Sequence, residues 1–180
     1  YGLTGGATYE EGDIDGDGYS EIVVGADGYG SYIGRAYLYQ GGVSGPSVSP
    51  SLMTTGEAAG NYYGHSLASA GDVNGDGYSD LIVAASYFGS YLGKIYVYYG
   101  SWSGLPTTAS FALAGEYDYD EFGISVASAG DVNGDGYSDV VVGADGYGSY
   151  SGRAYLFLGS AAGLAASSSW TATGEYSSNR

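Results

Sequence analysis

The chain has 180 residues, and its 20 acidic residues far outnumber its four Lys and Arg residues, which gives a formal net charge of −16. A chain this acidic has few cations to neutralise phosphate, so nucleic acid and anionic membrane surfaces are not expected as partners. The hydrophobic fraction of 44% excludes a disordered acidic tail, the lack of Cys excludes disulfides and thiol chemistry, and no apolar run reaches the ~18 residues of a membrane span.

One unit of 59 residues recurs three times along the chain. The string GDIDGDGYSE, or its variant GDVNGDGYSD, begins at three evenly spaced positions: Gly12, Gly71 and Gly130. Three of the four basic residues also recur at a single position of the unit: Arg35, Lys94 and Arg153. Repetition with a period of this order is typical of repeat architectures. We therefore divide the chain into three units: residues 1–62, 63–121 and 122–180.

Each unit is predicted to form four short strands separated by Gly-rich turns. In the second unit these are 65–70, 80–85, 94–99 and 111–114, and the apolar run DLIVAA at 80–85 is of the kind that is buried on both faces. The other two units repeat the pattern, although the opening strand of the first is degenerate, and helical periodicity is absent. Four strands in a unit of this size are typical of a propeller blade. We predict an all-β fold, a β-propeller with three four-stranded blades per chain.

The string that marks each unit contains an acidic loop of the form D-x-D/N-x-D-G-x-x-D/E. Side chains at its positions 1, 3, 5 and 9 and the backbone carbonyl at position 7 supply oxygen ligands, the type that Ca²⁺ prefers, and Gly at position 6 permits a sharp turn. We predict one Ca²⁺ per loop, three per chain. The predicted ligands are Asp13, Asp15, Asp17, Tyr19 and Glu21 in the first loop, Asp72, Asn74, Asp76, Tyr78 and Asp80 in the second, and Asp131, Asn133, Asp135, Tyr137 and Asp139 in the third.

The acidic loops also resemble two other kinds of loop, metal-free turns and EF-hands. Asp, Asn and Gly also form solvated turns without a metal, and this alternative stays open, although three carboxylates in one tight loop repel each other unless a cation lies among them. An EF-hand is excluded because its position 12 requires a bidentate Glu, whereas these loops carry Val24, Val83 and Val142 there, and a β-branched run follows in place of a helix.

The string FGISVASAGDVNGDGYSDVVVGA at 122–144 resembles the FG-GAP repeat of integrin α-subunit propellers and their bacterial relatives, and residues 63–85 are similar to it. The resemblance implies a calcium-stabilised β-propeller with its metal loops on one face. Relatives of this kind are usually extracellular recognition or adhesion modules, which implies an extracellular or cell-surface location and no catalysis. The Pro expected after the Gly-Ala pair is replaced by Asp27, Ser86 and Asp145.

Little in the sequence suggests an enzyme. His65 is the only His, and the matching position of the third unit holds Ile124, so no His recurs beside a nucleophile. The recurring basic residues either pair with nearby acceptors or form a ring of cations for an acidic ligand. The hairpin tyrosines either pack between blades or form a sugar-stacking platform; these are Tyr29, Tyr32, Tyr91, Tyr147 and Tyr150.

Two classes of function remain: a calcium-dependent module that binds a protein or glycan, and a self-assembling scaffold without a specific ligand. Closed propellers have about four to eight blades, so three blades require a partner. The tail GEYSSNR followed by the head Tyr1-Gly2 reproduces the pattern of the linkers GEAAGNYYG and GEYDYDEFG. We therefore predict a head-to-tail homodimer that closes a six-bladed ring. The rival prediction is that the chain is part of a longer array.

Overall fold

The computed structural model describes residues 12–175, which form three antiparallel sheets in which consecutive strands are neighbours. The first sheet contains β1 (Ile22–Ala26), β2 (Arg35–Tyr39) and β3 (Leu52–Thr55). The second contains β4 (Tyr63–Gly71), β5 (Asp80–Ala85), β6 (Lys94–Tyr98) and β7 (Phe111–Ala114). The third contains β8 (Ser125–Gly130), β9 (Asp139–Ala144), β10 (Arg153–Phe157) and β11 (Trp170–Thr173).

The all-β prediction is confirmed, and the three meanders have the form of propeller blades. The first sheet has three strands among the described residues, and the degenerate strand predicted to open it lies outside them. In the second sheet, β5 and β7 have the predicted bounds. Strand β4 begins two residues before the predicted start, because Tyr63 pairs with Ala85 ahead of a register shift.

Three short helical turns were not predicted: α1 (Tyr29–Tyr32), α2 (Phe88–Tyr91) and α3 (Tyr147–Tyr150). Each closes the hairpin between the second and third strands of its unit, and each ends on a Tyr with a positive φ of 61 to 68°. Four residues without regular helical dihedrals carry no periodicity, which is why the sequence pattern did not indicate them. No helix in residues 12–175 is long and apolar enough to cross a membrane.

Two hydrophobic cores lie between adjacent sheets. All six residues of β5 are buried, because alternate side chains point to opposite sides of the strand and each side is covered by a neighbouring sheet. Leu81 and Val83 pack in the core shared with the first sheet, whereas Ile82 and Ala84 pack in the core shared with the third. The sheets therefore stack side by side and bury both faces of the middle one.

The core between the first two sheets contains a polar cluster. The hydroxyl of Tyr63 forms hydrogen bonds of 2.8 Å with Thr54 and 2.7 Å with the hydroxyl of Tyr98, and all three side chains are buried. The equivalent positions between the second and third sheets are apolar: Leu113, Phe122 and Phe157. At these three positions the first junction therefore carries hydroxyl groups and the second does not.

We expect Tyr63→Phe alone to lower the free energy of unfolding by about 1 kcal/mol, because the hydroxyls of Thr54 and Tyr98 lose a buried partner. Replacing all three hydroxyls in the triple variant Tyr63→Phe, Tyr98→Phe, Thr54→Val is expected to recover most of that loss, since no buried polar group is then left unpaired. Urea unfolding at one calcium concentration measures both. A triple variant that loses as much as the three single variants together would contradict this account.

Candidate metal centre

Each acidic loop lies immediately before the second strand of its unit, at one end of the strands. In the second unit the loop connects β4 to β5, and β5 then runs to the hairpin that contains α2. A strand of six residues spans roughly 20 Å. The acidic loops and the Tyr-rich hairpins therefore lie at opposite ends of the strands.

The first side chain of each loop organises its backbone. In the second loop, Asp72 Oδ1 accepts hydrogen bonds from the N–H groups of Gly75 (2.6 Å) and Asp76 (3.1 Å), and Oδ2 accepts one from Gly77 (2.8 Å). The other two loops repeat these bonds. In the third loop such backbone donors hold the pKa of Asp131 below its usual range. The backbone of each loop therefore curls around the carboxylate at the first position.

The curl requires left-handed backbone conformations at two glycines. Gly75 has a φ of 75° and Gly77 has a φ of 90°. Such angles cost other residues free energy but not Gly, which has no Cβ. The sequence analysis predicted a sharp turn only at the Gly in position 6. The left-handed Gly in position 4 was not predicted, although its recurrence in all three loops was a signal for it.

The ninth side chain anchors the loop to the sheet. Asp80 is buried, and its Oδ2 accepts a hydrogen bond of 2.9 Å from Val73 N while its Oδ1 accepts one of 2.8 Å from Gly100 N. Glu21 and Asp139 make the corresponding bonds in the other loops. Each carboxylate thus joins its loop to the residues that follow β2, β6 or β10.

Burial and neighbouring carboxylates disfavour the ionised form of the ninth side chain. Burial raises the pKa of Asp80 to about 7, and the neighbouring carboxylates of Asp76 and Asp72 add to the rise. Burial also raises the pKa of Glu21. A bound cation would offset both effects, because it favours the ionised form of every carboxylate around it.

The first loop gathers three carboxylates. Ligand oxygens of Asp13, Asp15 and Glu21 lie within 4.8 Å of one another, and residues 12–175 contain no other such group of three acidic, His or Cys ligand atoms. Asp17 lies in the same loop but outside this group, with its Oδ1 2.9 Å from Tyr19 N. The sequence pattern does not distinguish Asp17 from the other three.

The other two loops carry Asn in place of Asp15, and the amide changes their bonding. Asn74 Nδ2 donates to Asp76 Oδ2 at 2.9 Å, and Asn133 Nδ2 donates to Asp135 Oδ2 at 2.8 Å. In the first loop, Asp15 accepts instead from the side chain of Gln40. The role of Gln40 was not predicted, because Gln at this position occurs in only one unit.

The seventh residue of each loop is a Tyr, predicted to contribute its backbone carbonyl. The structure assigns its ring a further role that the sequence analysis missed. The Tyr78 ring lies so close to Gly16 that an added Cβ there would approach within 2.9 Å, and a Cβ added to Gly75 would approach the Tyr137 ring within 2.5 Å. The rings of Tyr78 and Tyr137 therefore each cover the acidic loop of the preceding unit.

These loops fit a hard divalent cation. Their side-chain ligands are carboxylate and amide oxygens, without the nitrogen or sulfur ligands that favour transition metals. The carboxylates do form the backbone hydrogen bonds of metal-free Asx turns, but the other oxygen of the first carboxylate, Asp72 Oδ2 in the second loop, accepts one hydrogen bond, from Gly77 N, and has a second lone pair with which to bind a cation. The hydrogen bonding that shapes the loop is thus compatible with metal ligation.

The recurring basic residues pack against the hairpins. The Arg35 guanidinium lies 3.7 Å from the centre of the Tyr29 ring, and Arg153 lies 3.6 Å from that of Tyr147. Lys94 forms a 2.6 Å ion pair with Glu57. This favours the interpretation that they pair with local acceptors over a ring of cations for an acidic ligand.

The hairpin tyrosines stack on tyrosines of the linkers between sheets. Tyr62, in the first linker, lies between Tyr32 (ring centres 4.7 Å apart) and Tyr87 (4.8 Å), and Tyr91 stacks at 5.8 Å on Tyr119 of the second linker. These contacts support packing between blades as the role of Tyr32 and Tyr91. The single His also joins two sheets, since His65 Nδ1 lies 3.0 Å from Asp27 Oδ2.

Comparison with known proteins places the three units in one family. The family model described as FG-GAP repeat matches residues 12–39, 63–98 and 122–157. The chain is 35% identical to mouse integrin alpha-IIb over 146 residues, which covers 74% of this chain and 14% of that protein. It is 34% identical to Drosophila melanogaster integrin alpha-PS2 over 167 residues, which covers 84% of this chain and 11% of that protein.

The matched segments begin at or before each acidic loop and end at or near the end of the third strand. They therefore contain the loop, the anchoring ninth carboxylate and the hairpin, the parts that the three sheets share. The aligned segment is only a small fraction of each integrin. The chain belongs to the FG-GAP repeat family.

Proposed function

We propose that this protein is a calcium-binding, non-catalytic propeller module of the extracellular recognition or adhesion type. The observation that carries the proposal is the threefold recurrence of one acidic loop with the same backbone hydrogen bonds and the same buried ninth carboxylate. Each loop binds one Ca²⁺ through the oxygens of positions 1, 3, 5 and 9 and the carbonyl of position 7. The bound ion supplies positive charge that holds the crowded carboxylates together.

Calcium in this role is structural. In the second unit the loop joins β4 to β5 and, through Asp80, reaches Gly100 after β6, so an ion bound there fixes three strands relative to each other. Loss of the ion leaves the carboxylates to repel one another across that junction. Recognition by this module therefore depends on calcium through the stability of the sheets.

The recognition role rests on membership of the FG-GAP family and on similarity to integrins. A candidate binding surface lies at the end of the strands that carries the Tyr-rich hairpins. A cleft of about 560 Å³ lies between the second linker and α3, and exposed Tyr117 and Tyr119 line it together with Asp118 and the buried Asp120. Tyrosines beside carboxylates suit polar protein or sugar surfaces, because the ring combines apolar area with a hydroxyl.

Binding to arrayed extracellular matrix proteins and glycans, in calcium and in EDTA, tests this function. We expect calcium-dependent binding that Tyr117→Ala abolishes without a change in melting temperature, since Tyr117 is 60% exposed and is not the linker ring that stacks on Tyr91. The control Val48→Ala, at a fully exposed loop position, should bind normally. Binding to glycans alone would identify a lectin-like module. An absence of binding to either array would overturn the recognition role and favour a scaffold without a ligand.

A further inference from the structure

The two junctions between neighbouring sheets join the same pair of faces. In the second sheet, Ile82 and Val97 belong to the side that packs on the third sheet, which we call the forward face. Leu81, Val83 and Tyr96 belong to the side that packs on the first sheet, which we call the rear face. Each junction therefore joins the forward face of one sheet to the rear face of the next.

Positions 59 residues away in sequence keep these roles. The first sheet presents Val23 and Leu38, the counterparts of Ile82 and Val97, to the second sheet. The third sheet presents the counterparts of the rear face to the second sheet: Val140, Val142 and Tyr155. The structure thus shows the same pair of faces fitting together twice.

The outer sheets leave one copy of each face without a neighbouring sheet among the described residues. The forward face of the third sheet carries Val132, Leu156 and Trp170; Val132 is 53% exposed, whereas its counterpart Val73 is fully buried. The rear face of the first sheet carries Ile22, Val24, Tyr37 and Tyr39, all half-buried, whereas their counterparts in the second sheet are buried. Contiguous apolar surface of this kind marks an interaction site.

The acidic loops also depend on the sheet that follows. Ser79 N donates to the carbonyl of Asp13 at 3.1 Å, and Ser138 N donates to that of Asp72 at 2.9 Å, so each loop is held by the next unit. No sheet follows the third loop within residues 12–175, and its Asp131 and Asn133 are exposed where their counterparts are half-buried. Among the residues that the structure describes, neither a Ser donor nor a Tyr ring covers the third loop as in the other two.

The missing parts are present at the other end of the same chain. Tyr19 is 43% exposed, and its counterparts Tyr78 and Tyr137 are the rings that cover the preceding loops. Ser20 is the counterpart of Ser79 and Ser138. One chain therefore carries both halves of a junction and both halves of a completed acidic loop.

We propose that a second copy of this chain occupies both outer faces. The rear face of each copy's first sheet packs on the forward face of the other's third sheet, and Tyr19 and Ser20 of each copy complete the third acidic loop of the other. Two such contacts close six blades into a ring with two-fold symmetry, within the roughly four to eight blades of known propellers. This assembly goes beyond the proposed function and does not depend on recognition of any ligand.

Light scattering coupled to gel filtration, in calcium, tests the assembly. The wild-type chain is expected at twice its 18.3 kDa monomer mass. Val24→Asp on the rear face and Leu156→Asp on the forward face are each expected to give monomers. Val43→Asp, in an exposed loop outside both faces, is the matched control and should remain dimeric.

Mixing the two monomeric variants separates head-to-tail pairing from other modes. The mixture retains one intact junction, formed by the unaltered rear face of one variant and the unaltered forward face of the other, so it is expected to regain twice the monomer mass. If circular dichroism shows that either Asp variant is unfolded, the variants Val24→Ser and Leu156→Ser are used in their place. A wild-type monomer, a higher multiple of the monomer mass, or a dimer that survives either single variant would overturn the proposal.

Discussion

Replacement of Asp80 by Ala is expected to lower the free energy of unfolding by about 3–5 kcal/mol, both with calcium and without it. The Asp80 carboxylate accepts hydrogen bonds from Val73 N and Gly100 N, and all three residues are buried. Ala leaves both N–H groups without a partner away from water, and each such loss costs about 1–3 kcal/mol. Urea unfolding in calcium and in EDTA measures the effect.

The matched comparison is Asp76→Ala in the same loop. Asp76 is exposed, and its carboxylate accepts hydrogen bonds from Tyr78 N and from the Asn74 amide. Its loss is therefore expected to matter in calcium, by roughly 1–2 kcal/mol of lost metal binding, and much less in EDTA. Equal effects of Asp76→Ala in the two conditions would contradict its assignment as a ligand. An effect of Asp80→Ala confined to calcium would contradict its role as an anchor.

Removal of calcium from the unaltered protein is expected to lower its melting temperature by roughly 4–20 °C. With a dissociation constant of about 10⁻⁴–10⁻³ M and about 2 mM calcium, each site contributes roughly 0.6–1.8 kcal/mol, and three sites add. For a chain of this size, each kcal/mol of unfolding free energy shifts the melting temperature by about 2–4 °C. Melting curves in EDTA and in excess calcium provide the measurement, with magnesium as the control ion, which should restore less stability than calcium. Superimposable curves in EDTA and calcium would contradict structural calcium.

Much of this molecule follows from local sequence pattern. The continuous apolar run at 80–85 predicted a strand buried on both faces, and β5 has those bounds and that burial. The evenly spaced acidic strings predicted loops before the second strands, because such loops are shaped by contacts among residues a few positions apart. Asp72, for example, is bonded to N–H groups three to five residues away.

What the sequence did not show depends on contacts between distant residues. The bond from Gly100 to Asp80 spans 20 residues, and the cover of Gly16 by the Tyr78 ring joins two units. Composition suggested β-structure, but it did not indicate the left-handed backbone of Tyr91 in α2, whose ring stacks on Tyr119 of the linker 28 residues later. Recurrence in all three units was the available signal for Gly100, since Gly41 and Gly159 occupy the same position.

The count of calcium ions per chain tests the account most directly. Native mass spectrometry or equilibrium dialysis at saturating calcium is predicted to find three ions per chain, and two after Asp76→Ala. Asp118→Ala, which removes an exposed carboxylate outside the acidic loops, is the control and should leave the count at three. A wild-type chain that binds no calcium at millimolar concentration, or whose count is unchanged by Asp76→Ala, would contradict the assignment of the acidic loops as calcium sites.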